Sequence, residues 1–292
     1  MAKKTLYSFL ILIGIFYTSC SKNEELVVPD NGTSGTGSSN NTLEEYLKAN
    51  ADYVHNINGF YIVGSAAAPG SPETTPGTTA KEIFDHSVRL FSSFLDQDND
   101  GVVDEDRKQL NTYLANTVLF ISGPLSFVDK ISMSSQLTSK NLYGMSMQTD
   151  NWPYVKNYDG KGWTVSTLNS STWRPNNFNA LWEEVFHTIT EAYSRSDNTL
   201  AFTPGAKFRQ LMDADIAAGT YDISEQNAAE NGNYDRVTAV NEYIHQIWAI
   251  NFAGQDAALN SYQKEALQFM KDNKIPMTVN ATYNQTIGTQ IK

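Results

Sequence analysis

Cysteine is nearly absent from this chain, since Cys20 is the only one among 292 residues. A disulfide within the chain is therefore excluded. Positive charge is also scarce, because 21 Lys and Arg face 32 Asp and Glu, which gives a net charge of -11. Binding to nucleic-acid phosphates needs clustered basic side chains, so we expect no nucleic-acid partner.

Long apolar runs are also lacking near the N-terminus. The mostly apolar run from Leu6 to Phe16 has eleven residues, which is too short to span a bilayer. Lys3 and Lys4 precede the run and Cys20 follows it closely, in the order of a signal peptide. Residues 1–20 resemble a bacterial lipoprotein signal, which implies that cleavage leaves Cys20 as a lipidated, palmitate-bearing N-terminus. An ordinary secretory peptide is the alternative.

The segment after Cys20 predicts a spacer. Residues 21–25 read Ser-Lys-Asn-Glu-Glu and resemble the acidic tag that sends lipoproteins of Bacteroidetes-type bacteria to the cell surface. Residues 21–41 are rich in Gly, Ser, Asn and Thr and have too little apolar surface to fold, so we expect a flexible tether. These features predict a protein lipid-anchored in the outer membrane, at the cell surface, whose globular part is residues 42–292.

The globular part is expected to be one α+β domain that is mainly helical. Thr42 and Glu45 form a capping-box pattern at a helix start, and apolar spacing continues from there to Val54. The stretches 68–79 and 123–176 predict loops and short strands, with an edge strand over 143–147. Further helices are expected over 80–95, 105–116, 178–194, 204–218, 237–252 and 257–272, and strands over 60–63 and 118–121.

An acidic loop over residues 96–107 follows the second helix and resembles the front of an EF-hand. Alternating carboxylates on a tight turn suit Ca²⁺, which takes roughly six to eight oxygen ligands, and Gly101 allows the sharp bend. The twelfth position of the loop, where an EF-hand has a bidentate glutamate, is Arg107. We expect a structural calcium clip, and the alternative is a solvated acidic turn. The expected oxygen donors are Asp96, Asp98, Asp100, the Val102 carbonyl, and Asp104, Glu105 or Asp106.

The helix expected over 178–194 places its polar residues on one face. At about 100° per residue, the apolar side chains share one arc, and Glu183, Glu184, His187 and Glu191 share the opposite arc. The five residues that start at Glu183 read as H-E-x-x-H with glutamate in place of the first histidine. We expect this face to bind a cation.

A later helix supplies a second pair, Glu242 and His245, on its polar side. In zinc peptidases of the gluzincin class, a glutamate from a later helix completes the site that H-E-x-x-H begins. This pattern predicts His187, Glu242 and Glu183 as metal ligands, with His245 as a further candidate. Glu184 would be the general base that activates a metal-bound water.

The order of these motifs resembles that in a family of uncharacterised secreted bacterial proteins, which pair a D-x-D-x-D-G-V loop with an E-E-[VI]-[LF]-H helix and a T-E-Y helix. More remotely, it resembles the zincin-like domains of the anthrax lethal factor type. The resemblance covers about residues 59 to 255. It implies a zincin-like fold and a bound metal, either zinc or another divalent transition metal. The matching residues are His86, Asp96, Asp98, Asp100, Gly101, Val102, Asp104, Asn141 to Gly144, Glu183 to His187, Glu242 and Tyr243.

The sequence departs from that family at two places. His245 stands where a tyrosine is expected, and Met145-Ser146 stand where acidic residues are expected. His86 matches the family but is predicted to be a packing or capping histidine, with a ligand role as the alternative. Glu191 is predicted to be a solvated or hydrogen-bonded companion of His187.

Three functions remain open from the sequence. The first is a non-catalytic surface lipoprotein on a zincin-like scaffold, which binds a metal or a peptide or protein ligand. The second is an active metal-dependent peptidase or hydrolase that uses Glu184 as its base. The third is a di-iron carboxylate protein, since Glu184-x-x-His187 and Glu242-x-x-His245 repeat the E-x-x-H pair of ferritin-like bundles. The sequence predicts no particular oligomeric state.

Overall fold

The computed structural model describes residues 42–67, 77–132, 137, 143–148, 154–164, 179–224, 227, 232–277 and 286–292. The predicted signal peptide with Cys20 and the predicted tether lie outside these residues, as does most of the 68–79 loop. Residues 41–292 group into one compact unit. Within the described part, no helix combines the length and the apolar character that crossing a membrane requires. The lipid anchor and the surface location stay predictions.

A mixed five-stranded sheet has the strand order β4-β3-β2-β1-β5. Strands β2, β3 and β4 are parallel neighbours, and β1 pairs antiparallel with both β2 and β5. The strands predicted over 60–63 and 118–121 are confirmed, and the stretch 143–147 lies in β4 at the edge of the sheet. The strands are β1 (Tyr53–Ile57), β2 (Phe60–Gly64), β3 (Val118–Gly123), β4 (Tyr143–Gln148) and β5 (Thr289–Gln290).

The hairpin of β1 and β2 corrects one prediction. The first helix, expected to continue to Val54, ends at Asn50, and Val54 lies in β1. The hairpin turns at Asn58 and Gly59, whose φ angles are 49° and 95°, and a type I′ turn needs positive φ at both central residues. This Asn-Gly turn allows the whole of β1 to pair with β2, which outweighs the helical spacing of a few apolar residues.

Helices make up most of the described chain, so the predicted α+β, mainly helical class is confirmed. The predicted helices end within a few residues of their expected limits, and the helix expected over 105–116 begins with a 3-10 turn, Glu105–Arg107. The helices are α1 (Leu43–Asn50), α2 (Ala80–Leu95), α3 (Lys108–Thr117), α4 (Leu125–Ser132), α5 (Ala180–Ser196), α6 (Lys207–Ala217), α7 (Arg236–Phe252) and α8 (Ser261–Asp272).

Helix α4 is a second correction, because it lies in a stretch where loops and short strands were expected. The Pro124 carbonyl accepts the first backbone hydrogen bonds, from Phe127 at 2.9 Å and Val128 at 3.1 Å. Phe127, Val128 and Ile131 recur at helical spacing and are buried together. Their packing against the sheet stabilises a short helix that would be marginal in isolation.

The sheet separates two apolar clusters, because successive strand residues point to opposite faces. Leu119 and Ile121 of β3 lie in the smaller cluster with side chains of α1 and α4. Phe120, between them, lies in the larger cluster with Phe60 and Ile62 of β2. The larger cluster also contains buried side chains of α2, α3, α5, α6, α7 and α8. The two helices that carry the candidate metal ligands, α5 and α7, therefore lie in the larger core.

Candidate metal centre

Helices α5 and α7 pack against each other and are fixed at their starts by polar side chains. Asn179 caps α5 and Asp235 caps α7, each by accepting a backbone hydrogen bond in the first turn. Further along, the Thr190 hydroxyl donates to the Asn241 side-chain oxygen. The Asn241 amide in turn donates to the His187 carbonyl at 3.4 Å. These bonds hold the two helices in register beside the candidate residues.

The polar face of α5 lies inside the protein and not at its surface. All residues from Ala180 to Thr190 are buried, so the helix is enclosed on every side over this length. The helical pattern correctly separates an apolar from a polar arc, but it does not reveal that a second helix covers the polar arc. The chemistry of that arc is therefore the chemistry of a buried site.

Four side chains from the two helices converge. Glu183 and His187 lie one turn apart on α5, and Glu242 and His245 lie three residues apart on α7, so each helix directs two donors at the other. One donor atom from each side chain lies within 4.8 Å of the others. His187 Nε2 is 3.8 Å from Glu242 Oε2, and His245 Nδ1 is 3.7 Å from Glu183 Oε1. We call these four residues the Glu-His cluster.

The Glu-His cluster is shielded from solvent. The exposed fraction is 1% for Glu183, 6% for His187 and 2% for His245, while the Glu242 side chain is 22% exposed. The Glu242 Oε2 atom is nevertheless inaccessible, as are His187 Nε2, His245 Nδ1 and both carboxylate oxygens of Glu183. Buried carboxylates cost free energy unless a positive charge compensates them. Protons on the carboxylates or on the histidines, or a bound metal ion, are the ways in which such an interior reduces that cost.

Aromatic rings surround the histidines of the cluster. The two imidazoles meet nearly perpendicular, with centroids 5.0 Å apart. Trp163 lies edge-on to His245 with a centroid distance of 5.4 Å and an interplanar angle of 85°. Phe186 lies 5.8 Å from the same imidazole. These rings limit how far the His245 side chain can turn, which fixes the direction of its ring nitrogens.

A tyrosine lies near each carboxylate of the cluster. Burial raises the pKa of Tyr158, and the charges of nearby carboxylates, Glu183 among them, raise it further. Burial likewise raises the pKa of Tyr221, as do carboxylate charges that include Glu242. Both phenols are therefore neutral at ordinary pH, and neither adds charge to the site.

Glu184 is not a member of the Glu-His cluster. Adjacent helix residues are turned by about 100° relative to each other, so its side chain leaves α5 in a different direction from Glu183 and His187. Glu184 is buried, and its backbone carbonyl accepts a hydrogen bond from the Thr188 hydroxyl at 2.7 Å. Its predicted role as general base stays a prediction.

His245 joins the cluster as its fourth member, although the sequence left it as a further candidate only. The signal was its spacing of three residues after Glu242, which puts both on one side of α7. The ferritin-like pattern used Glu184 together with His187, whereas the cluster contains Glu183 and not Glu184. Among the described residues, no carboxylate from another helix belongs to the cluster, so the arrangement favours one ion over a di-iron centre.

His86 and Glu191 lie apart from the cluster. His86 Nδ1 is 2.8 Å from the Tyr154 hydroxyl, and its Nε2 accepts a hydrogen bond from the Trp182 indole at 3.2 Å. Burial lowers the pKa of His86 to about 4, so it is a neutral, packed histidine. Glu191 pairs with Arg195 at 2.9 Å. In the structure both residues have local partners of their own.

Asp215 in α6 is a buried carboxylate that sequence reasoning did not single out. It accepts hydrogen bonds from the Tyr243 hydroxyl at 3.0 Å, from the Asn260 amide at 2.8 Å and from the Thr220 hydroxyl. Tyr243 follows Glu242 directly, so this network holds α7 where it delivers Glu242 to the cluster. The signal available in the sequence was an acidic residue that continues the apolar stripe of α6, formed by Phe208, Leu211 and Met212.

The acidic loop after α2 brings three carboxylates together. One oxygen each from Asp96, Asp98 and Asp104 lies within 4.8 Å of the others. The bend is made by Asn99 and Gly101, whose φ angles are 61° and 91°, a region that glycine tolerates best. Desolvation raises the pKa of Asp98, and neighbouring carboxylate charges, Asp104 among them, also raise it. Crowded like charges of this kind favour a bound cation.

Asp104, one of the three residues that the sequence offered to close the loop, lies in this group of three. Glu105 is exposed and pairs with Lys108, and Asp100 Oδ1 accepts the Val102 backbone N–H at 2.9 Å. Neither residue belongs to the group of three. Val102 is exposed, and its carbonyl stays a predicted ligand. The twelfth position is Arg107 in place of the usual bidentate glutamate, and its side chain is buried.

No protein-family model matches the chain, and neither does any curated protein or any solved structure. The family resemblance and the zincin-like fold expected from the motifs therefore stay predictions. The functional argument depends on the geometry of the Glu-His cluster and of the acidic loop.

Proposed function

We propose that this protein is a cell-surface lipoprotein that binds a divalent transition metal in the Glu-His cluster, where the ion has a structural role. The observation that supports this is the convergence of four buried donors from two helices within 4.8 Å. Donors at about 2.0–2.2 Å around a tetrahedral ion lie roughly 3.3 Å apart. The cross-helix distances of 3.8 Å and 3.7 Å need only a small contraction to reach that geometry.

The number of protein donors favours a structural role over catalysis. Structural zinc sites are four-coordinate and closed, whereas catalytic sites have three protein ligands and keep one position for water or substrate. His245 supplies a fourth donor from within the core. An ion held by all four side chains would cross-link α5 to α7 and leave no free position for a nucleophilic water.

Charge balance also supports a bound ion. Two ionised glutamates and two neutral imidazoles carry a formal charge of 2 × (-1) + 2 × 0 = -2, which one divalent cation cancels. Without an ion, the same balance needs protons on the carboxylates or on the histidines. One central ion compensates both carboxylates while both imidazoles stay neutral.

The donor set indicates the class of metal. The cluster offers nitrogen and oxygen donors and no sulfur. Imidazole suits zinc and iron, while carboxylate in place of imidazole makes a site harder and less selective for zinc. We propose zinc as the first candidate, with iron(II) and manganese(II) as competitors that elemental analysis distinguishes.

We also propose that the domain is zincin-like and that the chain is lipid-anchored. The first is supported by the E-E-x-x-H residues on α5 and by Glu242 on a later helix, the order that the motif resemblance implies. An experimental structure tests this proposal. The lipid anchor is supported by the lipoprotein-like N-terminus. Acyl labelling that is unchanged in Cys20→Ser would contradict the lipid anchor.

A metal-dependent peptidase is the second candidate function. It is favoured by one feature, because Glu184 is a buried carboxylate directly after Glu183, the position at which H-E-x-x-H has its general base. Glu184→Gln keeps the shape of the side chain and removes the base, so it should abolish any cleavage of a peptide library by the wild type. Equal digests from both proteins would exclude Glu184 as the base.

Purified, tagless mature protein is expected to contain about one transition-metal ion per chain, because the cluster has donors for one four-coordinate ion. His187→Ala is expected to lose most of that metal in elemental analysis. Glu191→Gln is the matched control, since it changes a residue of the same helix that pairs with Arg195. Wild-type protein that stays metal-free after incubation with zinc, iron(II) or manganese(II) would contradict the proposed metal site.

We propose in addition that the acidic loop over residues 96–107 holds Ca²⁺ as a structural clip. Asp96, Asp98 and Asp104 bring three carboxylates to one point, and hard oxygen donors of this kind suit calcium. Asp96 is buried and its oxygens accept the Asp100 and Gly101 N–H groups at 3.1 Å and 2.9 Å, so the loop is already bent around the site.

Calcium at about ten times its Kd is expected to stabilise the wild type by about 1.4 kcal/mol, which raises Tm by roughly 3–6 °C for a domain of this size. Asp98→Ala should abolish the gain in a thermal melt, because it removes one of three carboxylates. Glu105→Ala should keep it, since Glu105 is exposed and pairs with Lys108. The absence of a calcium effect on the wild type would make the loop a solvated turn.

A further inference from the structure

Residues 154–164 lie against the Glu-His cluster and contain no helix or strand. We call this segment the strap. Its buried residues are separated by exposed ones, and Tyr158, Gly160 and Trp163 are buried. The strap therefore lies at the surface of the larger core and inserts a few of its side chains into that core.

The strap contacts both helices of the cluster at the cluster itself. Trp163 lies edge-on to His245 of α7 at 5.4 Å. Tyr158 packs perpendicular to Trp182, which precedes Glu183 on α5, at a centroid distance of 5.0 Å. Tyr158 also shares a side-chain hydrogen bond with Trp163. Trp163 thus packs against one imidazole of the cluster, and Tyr158 packs against the residue next to one of its carboxylates.

Two backbone contacts fix the strap in this position. The Asn179 amide at the start of α5 donates to the Val155 carbonyl at 3.0 Å. Gly160 has φ of 75°, and a Cβ at this residue would lie 1.7 Å from Phe252 Cε1 at the end of α7. Only glycine permits so close an approach, so the strap is pressed onto α7 just before Trp163.

The converging donor atoms are shielded in this conformation. One donor atom of each side chain in the Glu-His cluster is inaccessible to solvent, although the Glu242 side chain as a whole is 22% exposed, so part of the protein has to move before a metal reaches all four donors. Separating α5 from α7 would disrupt the larger apolar core. Lifting the strap exposes three buried aromatic side chains of that core, Tyr154, Tyr158 and Trp163, and local openings involve the regions that lose the least packing.

We propose that the strap is the gate of the metal centre, and that Trp163 seated against His245 traps the ion. The proposal rests on the metal site proposed above and adds its regulation, which is control of exchange. Trp163 provides no metal ligand, so its removal changes how fast the ion enters and leaves more than how many ions bind at equilibrium.

Zinc-loaded wild type and Trp163→Ala, mixed with excess colorimetric chelator, provide the test. We expect zinc release at least about tenfold faster from Trp163→Ala, which corresponds to about 1.4 kcal/mol in the barrier, with the initial zinc content unchanged. Trp163→Phe keeps an aromatic ring against His245 and should release zinc at nearly the wild-type rate.

Phe208→Ala is the control for general destabilisation, because Phe208 is buried in the same core but its ring packs against Phe202 and Phe269. It should keep the wild-type release rate.

If Trp163→Ala does not fold, Tyr158→Phe, which removes the hydrogen bond to Trp163, must still accelerate release. Equal rates in the wild type and the folded strap variant, or equal acceleration in Phe208→Ala, overturn the gate. A wild type that takes up no zinc overturns the metal site and the gate together.

Discussion

Glu183→Gln is expected to weaken transition-metal binding by roughly 100-fold or more and to remove most of the gain in thermal stability that the metal gives. Changes to groups that merely support a ligand cost about 10–100-fold in affinity, and Glu183 is itself a proposed ligand. Glutamine has the same shape and still fits between α5 and α7, but it lacks the charge that balances the ion. The metal-free protein should therefore change less than the metal-bound protein.

Calorimetry and thermal melts measure both parts of this prediction. Metal at about 100 times its Kd adds about 2.7 kcal/mol to the wild type, or roughly 5–10 °C in Tm for a domain of this size. Glu191→Gln makes the same chemical change on the same helix, at a residue that pairs with Arg195 outside the cluster, and should keep the full gain. If Glu183→Gln and Glu191→Gln gain equally, Glu183 is not a ligand.

Asp215→Ala is expected to destabilise the protein by about 3–4 kcal/mol, the largest effect on folding that we predict. Asp215 is fully buried and accepts hydrogen bonds from Tyr243, Asn260 and Thr220. Removing the carboxylate leaves the buried Tyr243 hydroxyl and the half-buried Asn260 amide without their acceptor, each at a cost of about 1–3 kcal/mol, while the exposed Thr220 hydroxyl can bond to water.

Urea unfolding of Asp215→Ala beside Asp213→Ala isolates this effect. Asp213 lies on the same helix, with an exposed side chain that pairs with Arg209, and its loss should change stability by less than about 0.5 kcal/mol. A free energy of unfolding for Asp215→Ala as high as that of Asp213→Ala would contradict the role of Asp215 as the buried anchor of α7.

Helical spacing was enough to predict the two helices of the site and which of their residues could meet. Glu183 and His187 are four residues apart, and Glu242 and His245 are three apart, so each pair lies on one helical face whatever the tertiary structure. That α5 and α7 face each other could be hypothesised only from motif order. The burial of the whole α5 segment depends on covering elements that local pattern does not encode.

The roles of His245 and Asp215 illustrate what the sequence does not determine. His245 has the right spacing, but its membership depends on the rotation of α7 about its axis, which Tyr243 fixes through its bond to Asp215 in a helix about thirty residues earlier. No local rule links those two residues. The sequence accordingly left a catalytic, a non-catalytic and a di-iron protein open, and our proposal of a non-catalytic metal site uses the fourth donor as support.

The short elements depend on a few neighbouring residues, and they were predicted only where the sequence analysis used those residues. The Asn58-Gly59 turn was readable from sequence and outweighs the helical spacing before it. The acidic loop was recognised from its carboxylate spacing, but three residues could have closed it. Only the backbone path selects Asp104, because Glu105 is directed to Lys108 at the surface.

X-ray absorption at the metal edge of zinc-loaded wild-type protein tests the central claim most directly. A closed Glu-His site predicts two imidazole nitrogens and two carboxylate oxygens at about 2.0–2.2 Å, with no sulfur and no bound water. A spectrum without the multiple scattering that imidazole produces, or with an oxygen-only coordination sphere, would contradict the proposal that Glu183, His187, Glu242 and His245 hold the ion.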